Sequence, residues 1–177
     1  ALEALARGGG LSRFAVVHLA SHALLDRKFP RRSALILSNP RLEPPGAARR
    51  GSDGRITIDE IELAWDLPAE LLTLSACQTG AELWSLDGAS SFITGALAAG
   101  ARSVLASRWK VNDLATCLFM QRFYAYLTGT GGEGPLPKAE ALRQTRIWMR
   151  RQTDGEGRRL FAHPVYWASF ALFGDPD

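Results

Sequence analysis

The sequence predicts an α/β fold: three layers, with a mainly parallel central sheet flanked by helices. Three observations carry that expectation. The runs "FAVVHLAS" (14–21), "ELLTLSA" (70–76) and "RSVLASRW" (102–109) are short, apolar and without strict alternation, as strands covered on both faces are. Stretches with helical spacing lie between and after them, and strand–helix alternation with right-handed crossovers builds parallel sheets. The chain has 177 residues, 46% hydrophobic and 22% charged, which suits one globular domain over 1–177 with a single core.

The remaining elements follow in order. "SALILSN" (33–39) is expected as a fourth strand beside the first. "ITIDEIELAWDL" (56–67) starts as a strand and turns helical at Asp59 and Glu60, acidic residues suited to a first helical turn. "LDGASSFITGALAAG" (86–100) reads as a helix closed by Gly100, and "DLATCLFMQRFYAYLTG" (113–129) as one closed by Gly129. "KAEALRQTRIWMRRQT" (138–153) is amphipathic and entered just after Pro137. "YWASFALFG" (166–174) reads as the last strand. The stretches 40–55 and 128–137, dense in Gly and Pro, are expected to be exposed or mobile loops.

Composition excludes several classes. The formal charge is +3, but its arginine pairs are scattered, with no basic stripe interleaved with aromatics, so no nucleic-acid partner is expected. No apolar run approaches the roughly 18 residues of a membrane span, and no membrane partner is expected. The first residues show no signal-peptide pattern, and two cysteines make no disulfide framework, so a reducing cytoplasm is the expected location. The chain lacks an initiator Met and is expected to be the C-terminal part of a longer protein. Heavy use of Arg, Ala, Leu and Gly points to a GC-rich, bacterial genome. Zinc-ligand spacing, G-x-S-x-G and phosphate-binding loops are all missing, and no cofactor or metal is expected.

In sheets of this kind, ligands sit at the carboxyl ends of the strands. That rule places His22 just past the first strand, Cys77 past the second and Trp109 to Asp113 past the third. A thiol beside an imidazole can be deprotonated for attack on a carbonyl, and a tight strand-to-helix turn lends backbone N–H donors to the developing oxyanion. His18, inside the strand run, is expected as a packed core histidine, and Cys117, on a helix, as a core cysteine. Asp113 suits either a helix N-cap, directly or beside Asn112, or a ligand contact at the sheet edge.

"VVHLASHA", "TLSACQTG", "GARSVLASRWKVND", "FYAYL" and "HPVYWASFALFG" occur in the order and spacing of a CHAT domain, and over about residues 14–174 the chain resembles that family. CHAT domains are caspase-like modules related to separase and often linked to tetratricopeptide repeats. The resemblance implies a caspase-hemoglobinase fold and a cysteine endopeptidase acting on a protein substrate through a Cys/His dyad. Carried over by position, it makes His22 the base, Cys77 the nucleophile, and the backbone N–H groups of Ala23 and Cys77 the oxyanion donors. It makes Asp113 a candidate for lining the pocket of a basic P1 side chain. It also implies control by a regulatory or sensor domain such as tetratricopeptide repeats, with 40–55 and 128–137 as candidate activation segments on composition alone. A non-catalytic interaction or scaffold module is the alternative. Position 23 is usually glycine in the family, so Ala23 would cost roughly 1 kcal/mol if φ there were positive.

Overall fold

The computed structural model describes residues 2–26, 28–37, 54–76, 91–110, 112–132 and 134–177. Among the described residues, six strands form one sheet: β1 (Val16–Leu24), β2 (Ala34–Ile36), β3 (Arg55–Thr57), β4 (Leu71–Ala76), β5 (Ser103–Ser107) and β6 (Phe170–Gly174). They lie in the order β3-β2-β1-β4-β5-β6. The centre, β1-β4-β5, is parallel, while β2, β3 and β6 run antiparallel at the two edges.

Five helices are described: α1 (Leu2–Arg7), α2 (Ile58–Ala64), α3 (Phe92–Ala98), α4 (Asp113–Thr128) and α5 (Lys138–Arg151). Alternate residues of the central strands separate two cores, because successive side chains point to opposite faces. Leu72, Leu74, Val104 and Ala106 pack with Val17 and Ala23 against Ile58, Ile61, Phe92 and Ala96. On the other face, Leu71, Leu105 and Phe170 meet Phe119, Phe123, Ala141 and Leu142 of α4 and α5. Helices therefore cover both faces, and the expected three-layer α/β architecture is present.

Local chemistry sets the helix ends. Thr57 and Glu60 close a capping box at α2, with Thr57 N–H donating to Glu60 Oε2 at 2.9 Å and Glu60 N–H to Thr57 Oγ1 at 3.2 Å. At α3, the expected helix is described from its N-cap Ser91, and positions 86–90 lie outside the described residues. Asn112 caps α4, its Oδ1 accepting from Leu114 N–H at 3.0 Å and Ala115 N–H at 3.2 Å. Gly129 ends α4 with φ of 76°. A Cβ there would lie 2.6 Å from Pro135 N, so the left-handed turn and the returning chain both require glycine.

Two loop expectations meet different outcomes. Most of 40–55 lies outside the described residues. In 128–137, Thr128, Thr130, Gly132, Gly134, Pro135 and Pro137 are exposed as expected, while Gly131 N–H donates to Ala125 O at 3.0 Å and Leu136 N–H to Tyr126 O at 3.0 Å. Among the described residues no helix is long and apolar enough to cross a membrane.

Candidate active site

Strand β1 is longer than the apolar run predicts. It continues through His22, Ala23 and Leu24, which pair antiparallel with Ile36, Leu35 and Ala34. The added edge strand β2 supplies ladder partners beyond the reach of β4, so His22 lies within the strand and not past its end. On the other side, the parallel ladder between β1 and β4 runs from Val16↔Leu71 to Ser21↔Ala76. It thus reaches the residues immediately before His22 and Cys77 in the sequence. Cys77 itself lies outside the described residues.

The pleat sorts β1 into two faces. Val17 and Ala23 are buried in the core, while His18, Ala20 and His22 alternate with them on an exposed face. That face is open because α4 and α5 sit over β4, β5 and β6. The result is a cleft of about 520 Å³ between β1 and the flank of α4. Its floor is His18, Ala20, Ser21, His22 and Ser75. Its wall is Asp113, Thr116, Cys117, Met120, Gln121 and Tyr124, positions that recur at helical spacing.

Of the predicted site residues, the fold brings His22 and Asp113 to one cleft. Asp113 is the first residue of α4 rather than its cap, a role held by Asn112. Ala23 is on the opposite face of β1, 3% exposed, and does not line the cleft with its side chain. No non-glycine residue among those described has positive φ, so alanine at position 23 carries no left-handed strain.

Two residues depart from expectation. His18 is not packed in the core: it lines the cleft, where its Nδ1 lies 3.2 Å from the Tyr124 hydroxyl. The same hydroxyl donates to buried Thr73 Oγ1 at 2.9 Å. Although His18 is exposed on its strand, desolvation by the packing around it holds its pKa below the ordinary 6.5. Desolvation likewise raises the Tyr124 pKa above 10.0, against the smaller opposing effect of its bond to Thr73, so the phenol keeps its proton. Cys117 is exposed, not core, with Gln121 Nε2 3.3 Å from its Sγ. Both were hidden in apolar sequence contexts. Periodicity groups His18 with His22 on one face of β1, and Cys117 with Asp113 and Tyr124 on one flank of α4, but it does not say which face is covered.

A cleft with imidazoles on its floor, hydroxyls beside them and a carboxylate on its wall can orient a polar chain and move protons. Comparison with known proteins agrees with the fold. Residues 1–175 match the CHAT domain family. Human Tetratricopeptide repeat protein 28 is similar, 31% identical over 108 residues, and its mouse counterpart is 30% identical over 108 residues. The match spans 61% of this chain but only 4% of the length of those relatives. The chain belongs to the CHAT domain family.

Proposed function

We propose that this CHAT domain is a cysteine endopeptidase that cleaves a protein substrate with His22 as base and Cys77 as nucleophile. The observation that carries the reading is the Ser21↔Ala76 pair, which ends the parallel ladder one sequence position before each dyad member. His22 also lines a cleft large enough for a short peptide.

In this mechanism His22 takes the Cys77 thiol proton as the sulfur attacks the scissile carbonyl carbon. Backbone N–H groups of Ala23 and Cys77 hold the resulting oxyanion. The His22 imidazolium then protonates the leaving amine, the C–N bond breaks and a thioester remains. Water, deprotonated by His22, attacks the thioester and releases the carboxylate and the thiol. Asp113, on the cleft wall, supports selection of a basic P1 side chain through a charge-assisted hydrogen bond. Control by a tetratricopeptide-repeat partner is supported by the names of the two relatives.

Those same relatives favour a second reading, a non-catalytic interaction module within a long repeat protein. One experiment separates the two. Iodoacetamide alkylation of Cys77 is followed against pH by peptide mass spectrometry in the wild-type chain and in His22→Ala, with exposed Cys117 scored separately. The protease requires fast Cys77 labelling at neutral pH that slows without His22. Equal labelling rates in both proteins favour the interaction module.

A further inference from the structure

Tyr124 has one hydroxyl proton, and it is committed to Thr73 Oγ1. With that proton on the Thr73 bond, the contact between Tyr124 Oη and His18 Nδ1 is made by the imidazole donating from Nδ1 and the phenol accepting. Thr73 is fully buried and is also the direct register partner of His18 across the β1–β4 ladder. A hydrogen-bond chain across three elements thus fixes the tautomer of His18. A neutral imidazole with a proton on Nδ1 carries a lone pair on Nε2. That nitrogen makes no hydrogen bond to any described residue, while the residue lines the cleft.

His18 and His22 share the exposed face of β1, with only the methyl of Ala20 between them. Four residues of strand separate them by roughly 13 Å, and an extended peptide advances by the same rise per residue. A substrate whose reacting bond lies at His22 would thus present a side chain about four residues away to His18.

We infer that His18 is a specificity-determining residue, whose Nε2 accepts a hydrogen bond from a donor side chain of the bound peptide about four residues from the cleaved bond. The inference rests on the peptide-cleaving reading above. It assigns a preference for side chains ending in N–H donors, such as glutamine, over carboxylates, whose lone pairs would face that of Nε2.

The test uses the 15N-labelled chain carrying Cys77→Ala, so that peptides stay intact, and reads imidazole resonances by NMR. In the free protein His18 is expected with its proton on Nδ1, and a proton found on Nε2 overturns the inference. The probes are blocked peptides Gln-Ala-Ala-Ala-Arg and Glu-Ala-Ala-Ala-Arg, each also in reversed order. A glutamine peptide is expected to shift His18 Nε2 together with His22, and to bind roughly five- to tenfold more tightly than its glutamate counterpart. His18→Asn keeps a donor towards Tyr124 but removes the Nε2 acceptor, and should erase that difference. Peptides that shift His22 while leaving His18 unmoved overturn the inference alone. Peptides that shift neither imidazole overturn the peptide-cleaving reading, and this inference with it.

Discussion

His18 and Tyr124 meet across the cleft with Nδ1 and Oη 3.2 Å apart and their rings inclined at 42°. The same phenol reaches Thr73, so one hydroxyl ties β1, β4 and α4 together. Thr73 is fully buried, and a buried hydroxyl left without a partner costs its desolvation. Tyr124→Phe strands both Thr73 Oγ1 and His18 Nδ1, and should cost about 1–2 kcal/mol. Thr73→Val should cost less, because the Tyr124 proton can then turn to His18. Urea unfolding of the two variants checks the order, and equal costs would mean that the His18 contact adds nothing.

The lowered pKa of His18 makes stability depend on pH, with a defined sign. Between the folded value and 6.5 the unfolded chain binds more protons than the native one, so stability rises with pH. The contribution is full above 6.5 and is lost as pH falls through the folded value. Groups sharing the cleft are Tyr124, Asp113 and Cys117 on α4 and His22 on β1. His18→Asn should flatten that part of the curve. Melting temperatures of both proteins from about pH 5 to 8 test this, and parallel curves would rule it out.

How much of this was legible in the sequence varies with the physics that decides each feature. Helix α4 spans Asp113–Thr128, as its apolar spacing and Gly129 indicate, because capping and turn chemistry are local. The three parallel strands were legible as apolar runs for the same reason. The exposure of His18 was not, since a two-residue period along "VVHLASHA" does not say which face a helix will cover. That depends on α4 and α5 lying over β4–β6 instead of β1. The exposure of Cys117 is not legible for a related cause: its helix carries apolar residues on several sides, and tertiary packing alone chooses the buried side. The extension of β1 through Leu24 came from pairing with β2, a non-local effect.

Gly174 closes β6 with φ of 87°, and a Cβ there would collide with the carbonyl oxygen of Arg102. That carbonyl accepts from Asp175 N–H at 2.9 Å, so the close approach anchors the end of the sheet. Gly174→Ala should destabilise by about 2 kcal/mol or more, combining left-handed strain with a backbone clash. The site lies at the opposite end of β5 from Arg108 and Trp109, so cleft chemistry should be untouched. Denaturant midpoint and Cys117 alkylation rate, measured together, check both halves.

Asn112 and Asp113 divide two roles that the sequence left open between them. Asn112 Oδ1 accepts from two orphan N–H groups of α4, and Asn112→Ala should cost about 1 kcal/mol. Asp113 is the first residue of α4 and lines the cleft, and Asp113→Asn should leave the Asn112 cap in place. If Asp113 receives a basic P1 side chain, replacing its charge should lower kcat/KM for an arginine substrate by roughly 30- to 100-fold. Cleavage after an uncharged residue should change little, because no guanidinium then loses its partner. Steady-state kinetics on matched peptides differing only at P1, with each variant's stability measured alongside, separates the alternatives. An equal loss for both peptides would return Asp113 to a purely structural role at the start of α4.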